Sequence, residues 1–146
     1  MPRILRINHI GLAVQNREAS RFWQALGLPL AGEEAVPSDA ITAGFFPVGE
    51  SRIELLMPLG DDGPVQKFLA NRGEGLHHIC FDVEDICGLL TQLAEAGVEL
   101  VDAEARHGAE GSLVAFIHPR AAHGVLIELR EAAPTCPPTE AVVGPA

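Results

Sequence analysis

Apolar side chains recur every three or four residues in two stretches of the chain, which is the spacing of one helix face. The first stretch runs from the capping residue Asn16 to Gly27, and the second runs from residue 84 to Gly97. Each stretch predicts an amphipathic helix whose apolar side packs on other elements. The apolar positions are Ala19, Phe22, Trp23 and Leu26 in the first helix, and Ile86, Leu89, Leu90 and Leu93 in the second.

Short apolar runs bounded by turn residues predict strands before and after each helix. One run precedes each helix, at residues 7–14 and at residues 77–83. Residues 31–40 are small and acidic and predict an irregular loop, whereas residues 63–75 predict a short third helix. The remaining predicted strands lie at residues 41–49, 52–58, 112–119 and 124–131, with a short one within residues 98–108.

The two halves of the chain repeat the same order of elements. "HIGLAV" at residues 9–14 matches "HICFDV" at residues 78–83, and "RIELLMP" at residues 52–58 matches "VLIELRE" at residues 125–131. Repetition of this kind indicates an architecture built from duplicated units. The pattern therefore predicts an α+β fold of two paired βαβββ modules. The modules cover about residues 5–60 and 75–131 of a single domain, residues 1–131, and the proline-rich residues 132–146 predict a disordered tail.

Charge and composition exclude several classes of partner. The formal net charge of -10 argues against nucleic-acid binding, which needs clustered basic surface. No apolar run approaches the ~20 residues of a membrane-spanning helix, so no membrane partner is expected. The N-terminus lacks the features of a secretory signal. Three cysteines, an odd number without metal-type spacing, predict no disulfide framework, and a reducing cytoplasm is the expected location.

One histidine and one glutamate recur at equivalent places in the two halves. His9 and His78 begin the first strand of each half, while Glu54 and Glu128 lie within the last. The apolar neighbours of these residues would pack on the helices, so strand alternation directs all four side chains to the opposite face. His77, one residue earlier than His78, would face away from them and contribute packing or support.

Two imidazoles and two carboxylates on one face predict a metal site. A buried carboxylate without a partner is costly, and a cation would relieve that cost. Nitrogen and oxygen ligands suit a divalent ion such as Co, Mn, Zn, Ni or Fe(II). The sequence therefore predicts one divalent ion per site.

The chain resembles the vicinal oxygen chelate superfamily and, within it, the methylmalonyl-CoA epimerases. The resemblance rests on "INHIGLAV", "FWQALGL", "PVGESRIELLMPLG", "FLANRGEGLHHICFDVEDI", "FIHP" and "GVLIEL". It implies a cupped mixed sheet around a metal site whose ligands are His9, Glu54, His78 and Glu128, with Co the expected metal. It also implies a homodimer that takes an acyl-CoA thioester. The implied reaction is epimerisation of a 2-substituted malonyl-CoA by α-proton transfer through a metal-stabilised enolate.

The resemblance is interrupted before the third strand. Epimerases of this type commonly carry Pro-Glu-Gln-Gly there, whereas this chain has Pro37-Ser38-Asp39-Ala40. Ser38 therefore stands where the family's proton-transferring Glu is expected, and Asp39 and Glu128 are the candidate bases. Three alternatives stay open: a glyoxalase-type lyase, an Fe(II) dioxygenase, and a binding protein that sequesters a ligand.

Overall fold

The computed structural model describes residues 1–134 and residue 136, and these form three α-helices and eight β-strands. The strands are β1 (Arg3–Ala13), β2 (Gly32–Val36), β3 (Ile41–Val48), β4 (Ser51–Pro58), β5 (Gly75–Glu84), β6 (Arg106–His107), β7 (Leu113–Ile117) and β8 (Leu126–Glu131). The helices are α1 (Ser20–Ala25), α2 (Pro64–Arg72) and α3 (Ile86–Glu95). The predicted α+β class is confirmed. None of the helices in this part of the chain is long and apolar enough to cross a membrane.

The chain divides into two compact units, and the first consists of residues 8–78. Its strands are neighbours in the order β2, β3, β4, β1. The β3–β4 pair is antiparallel and the β4–β1 pair is parallel. Apolar side chains fill both sides of this sheet. One cluster contains Phe46 and Leu55 with Trp23 of α1, and the other contains Leu56 with Val65 and Leu69 of α2.

Two expectations for this unit were wrong. The irregular loop predicted at residues 31–40 contains strand β2, which pairs with β3 from Gly32 to Val36. It is an edge strand with little burial, so it carries no hydrophobic alternation from which it could be predicted. The apolar stripe of α1 is also narrower than expected. Ala19 and Trp23 pack, whereas Phe22 and Leu26 are each 60% exposed.

The second unit combines residues 1–7 with the chain from Ile79 onward. Here the strand order is β5, β8, β7, β6. The predicted apolar stripe of α3 is confirmed, because all four of its residues belong to one cluster with side chains of β5, β7 and β8. Within residues 98–108, Leu100 forms an isolated bridge to Ile117, and the regular strand is the two-residue β6.

A disulfide joins Cys87 of α3 to Cys136, in contrast to the expectation of no disulfide. The Cα atoms of the two residues are 6.2 Å apart, within the range that a disulfide spans. A separation of 49 residues carries no sequence signal, because only the folded chain brings these cysteines together. The predicted tail at residues 132–146 lies mostly outside the described residues, which include 132–134 and 136 of it.

Candidate metal and active site

The imidazoles of His9 and His78 meet within the first unit. Their Nε2 atoms are 2.9 Å apart, and each residue is 8% exposed. The two rings are perpendicular, with centroids 5.0 Å apart. Two nitrogen ligands held at right angles about 2.05 Å from one ion would be separated by about 2.9 Å. The pair therefore has the spacing of two ligands of a single metal ion.

Burial keeps the His78 ring uncharged near neutral pH. Desolvation, and after it the nearby rings of His9 and His77, lowers the pKa of His78 to about 3. Burial also lowers the pKa of His77. A neutral imidazole has an unprotonated nitrogen that can bind a metal. His78 is thus in the protonation state that a ligand requires.

Glu54 lies beside His9. Its Oε2 atom is 3.2 Å from His9 Nδ1, and the residue is 7% exposed. Strand alternation explains its direction, because its neighbours Ile53 and Leu55 pack in the cluster that contains Trp23 of α1. The structure therefore places Glu54 next to Nδ1 of the His9 ring and His78 next to its Nε2, all three within the first unit.

Three further residues shape this group, and sequence reasoning did not assign them. Asn8 Oδ1 is 2.8 Å from His9 Nδ1, so it can fix the His9 ring with Nε2 directed at His78. Arg52 Nε donates to Glu54 Oε2 at 2.7 Å. Gly11 leaves room for the His78 ring, because a Cβ there would lie 2.5 Å from Nδ1 and 2.9 Å from Nε2 of that ring.

The signals for these residues in the sequence are weak. Asn8 precedes a predicted ligand, Gly11 follows one by two positions, and Arg52 precedes one by two positions. Residues two apart on a strand share a face, so proximity could have been predicted for Arg52 and Gly11. The particular hydrogen bonds could not have been, because they depend on side-chain rotamers.

His77 has a different environment from its neighbour. Its ring packs on Phe68 of α2, with centroids 5.0 Å apart, and its Nδ1 is 3.0 Å from His78 Nδ1. One of these two nitrogens must donate and the other accept. His77 therefore contacts a helix and the back of the His78 ring, in agreement with a packing or supporting role.

Glu128 belongs to the second unit, where its position in the strand ladder repeats that of Glu54. Glu128 pairs across the antiparallel ladder with Phe116, as Glu54 pairs with Phe45. Its neighbours Ile127 and Leu129 join the cluster around α3, which leaves Glu128 on the other face of β8. A carboxylate oxygen of Glu128 lies within 4.8 Å of the sulfur of the buried Cys80.

The residues at the interrupted motif are exposed. Ser38 and Asp39 occupy a short 3-10 turn between β2 and β3, and both side chains face solvent. Ala40 follows with a left-handed φ of 55°. The environment of Asp39 thus differs from that of the three buried ligand candidates.

Comparison with known proteins identifies the family. Residues 8–116 match the model of the Glyoxalase/Bleomycin resistance protein/Dioxygenase superfamily. The chain is 41% identical over 128 residues to the uncharacterized protein YqjC of Bacillus subtilis, covering 86% of this chain and 91% of that protein. It is 37% identical to the ethylmalonyl-CoA/methylmalonyl-CoA epimerase of Cereibacter sphaeroides, covering 86% and 97% of the two chains.

A solved structure of methylmalonyl-CoA epimerase in complex with methylmalonyl-CoA and NH4+ superimposes with a TM-score of 0.77 at 33% identity. It covers 90% of this chain and 96% of that one. The chain belongs to the Glyoxalase/Bleomycin resistance protein/Dioxygenase superfamily and has its glyoxalase-like fold. Within that superfamily it is a methylmalonyl-CoA epimerase-like member.

Proposed function

We propose that the protein is a metal-dependent epimerase of a 2-substituted malonyl-CoA thioester of the methylmalonyl-CoA type. The observation that carries the proposal is the pair of buried imidazoles, His9 and His78, whose Nε2 atoms are 2.9 Å apart beside the Glu54 carboxylate. The epimerase relatives supply the reaction and the substrate class.

The ligands in this proposal are His9, Glu54, His78 and Glu128. His9 and His78 are supported by the 2.9 Å separation of their Nε2 atoms, and Glu54 is supported by its burial beside His9. Glu128 is supported by the duplication that makes it the counterpart of Glu54. This nitrogen and oxygen donor set fits Co, Mn, Zn, Ni or Fe(II). A divalent ion held there would act as a Lewis acid toward the thioester carbonyl and so make the α-proton easier to remove.

The chain itself orients the ligands and moves the proton. Asn8 and Arg52 hold His9 and Glu54 in place through hydrogen bonds of 2.8 and 2.7 Å. Inversion at the α-carbon requires a base on one side and an acid on the other. Ser38 cannot act as a base unaided near neutral pH, so Glu128 and Asp39 are the proposed proton-transfer residues.

The proposal extends to partners and location. An acyl-CoA thioester is the proposed substrate, a homodimer is the proposed assembly, and the cytoplasm is the proposed compartment. Sedimentation analysis tests the assembly, since a monomer at micromolar concentration would contradict it.

Isotope exchange tests the reaction. The Co²⁺-loaded protein is incubated with methylmalonyl-CoA in D₂O, and deuterium at the α-carbon is followed by mass spectrometry. We expect exchange that depends on added metal, and its absence would defeat the epimerase proposal. Turnover of a hemithioacetal would instead identify a lyase, substrate-dependent O₂ uptake a dioxygenase, and stoichiometric ligand binding without turnover a sequestering protein.

The same assay separates the two candidate bases. Asp39→Asn removes the carboxylate and keeps the size of the side chain. Loss of exchange in this variant, with Co²⁺ affinity unchanged, is expected if Asp39 has taken the role of the missing Glu. Unchanged exchange would rule Asp39 out as a required base and leave the proton transfer to Glu128.

A further inference from the structure

Arg52 is held in place on two sides next to the candidate metal site. Its Nε atom donates to Glu54 Oε2 at 2.7 Å, and its guanidinium carbon lies 5.0 Å from the centroid of the Phe45 ring. Phe45 is the residue that pairs with Glu54 across the β3–β4 ladder. The side chain of Arg52 is 44% exposed, whereas that of Glu54 is 9% exposed. The cation therefore lies at the solvent side of a buried carboxylate.

Among the described residues of the second half, the corresponding arginine contacts another carboxylate. Glu128 also has an arginine two residues away on its own strand, Arg130. Arg130 donates to Asp82 at 3.1 Å, and Asp82 also accepts from Arg6 at 2.7 Å. Arg130 is thus committed to a different carboxylate. The arginine near the strand glutamate therefore contacts that glutamate in the first half and Asp82 in the second.

The Arg52–Glu54 ion pair affects the net charge of the proposed metal site. A divalent ion with two carboxylate ligands is electrically balanced. A malonyl-type substrate adds one negative charge through its carboxylate, and removal of the α-proton adds another. Unbalanced negative charge in a buried site is strongly unfavourable. A nearby cation that is not needed to balance the ligands would offset this cost.

We propose that Arg52 is a positioning residue that fits the site to carboxylated acyl groups, which carry a second negative charge once the α-proton is removed. It acts through Glu54: it orients the carboxylate and neutralises it, so that Glu54 behaves as an uncharged ligand. The site with its ion then carries one net positive charge. This inference rests on the proposed function, because it takes Glu54 as a metal ligand, and it adds a determinant of substrate charge.

Four variants test the inference: Arg52→Gln, Glu54→Gln, the double variant, and Arg17→Gln as the matched control. Arg17 forms an ion pair of the same 2.7 Å length with Glu33 in the same unit, and its side chain is 75% exposed. For each variant, calorimetry measures the affinity of the protein for Co²⁺ and the affinity of the Co²⁺-loaded protein for malonate. Malonate is a dianion that lacks the CoA portion of the proposed substrate.

We expect Arg52→Gln to change the affinities for Co²⁺ and for malonate in opposite directions. Arg52→Gln should bind Co²⁺ several-fold more tightly, because a nearby cation is gone, and malonate more weakly by on the order of tenfold. The double variant restores the net charge and should recover malonate affinity to within about threefold of wild type. Arg17→Gln should leave both affinities unchanged.

Other patterns would overturn the inference. If Arg52→Gln binds Co²⁺ and malonate with wild-type affinities, Arg52 has no role in either binding step. If Arg52→Gln loses affinity for both ligands and the double variant does not recover it, Arg52 only supports the structure of the site. If Arg52→Gln does not fold, Arg52→Lys keeps the charge, and a tenfold loss of malonate affinity there would also contradict the proposal. A wild-type protein that binds no Co²⁺ would instead defeat the proposed function.

Discussion

At the scale of single residues, strand alternation separates two adjacent histidines into two environments. The buried His78 meets His9 within the first unit, whereas His77 packs on Phe68 of α2. The sequence permitted this distinction, because the apolar neighbours on a strand define which face is which. It did not reveal the bonds of Asn8 and Arg52, which depend on rotamers and on which carboxylate a guanidinium reaches.

Paired alanine variants test the assignment of the histidines. His78→Ala should abolish stoichiometric Co²⁺ binding, because it removes a ligand nitrogen. His77→Ala removes only a contact to the back of the His78 ring and should weaken Co²⁺ binding by no more than about tenfold to a hundredfold. Titration calorimetry of the two purified proteins measures both effects. An equal loss of binding in the two variants would mean that the assignment of the strand faces is wrong.

At the scale of elements, burial decides which helices and strands could be predicted from the hydrophobic pattern of the sequence. Helix α3 packs all four of its predicted apolar residues, so its periodicity was a reliable guide. Strand β2 is an exposed edge strand, and its residues "GEEAV" were interpreted as a loop because neither of its faces is buried. Helix α1 buries one side of its stripe and exposes Phe22 and Leu26. The hydrophobic periodicity thus predicts the presence of a helix better than it predicts which of its apolar side chains are buried.

The beginning of α3 provides a stability test at this scale. Glu131 of β8 is 4% exposed and accepts from the backbone N–H groups of Asp85 and Ile86 at 2.9 and 3.1 Å. Glu131→Ala leaves those donors without this acceptor and should lower the free energy of unfolding by about 2–3 kcal/mol. Urea denaturation under identical redox conditions measures the change.

Glu34→Ala is the control for the stability test, because Glu34 is exposed on the edge strand β2. Its free energy of unfolding should stay within about 0.5 kcal/mol of wild type. Similar losses in the two variants would show that the Glu131 carboxylate contributes nothing specific to the beginning of α3.

At the scale of the whole molecule, duplication was the most informative feature of the sequence. It predicted the mixed α+β architecture, and it selected His9, Glu54, His78 and Glu128 from a chain with six histidines and twenty acidic residues. Features that occur once were harder to predict. The Cys87–Cys136 disulfide joins positions without a matching pair of cysteines in the first half of the sequence, and Arg130, the arginine near Glu128, contacts Asp82, so the internal repeat could not reveal the disulfide or the Arg52–Glu54 pair.

Metal binding should stabilise the whole molecule, since an ion that binds the folded chain shifts the unfolding equilibrium by mass action. Free Co²⁺ at 100 times its Kd would add about 2.7 kcal/mol, which corresponds to a rise in Tm of roughly 5–10 °C for a domain of this size. Differential scanning calorimetry with and without Co²⁺ measures the shift, and EDTA should reverse it. His78→Ala should show no such rise, because the same imidazole that meets His9 is missing. Equal Tm values for the wild-type protein with Co²⁺ and with EDTA would contradict a metal site in the folded chain, whatever activity the protein displays.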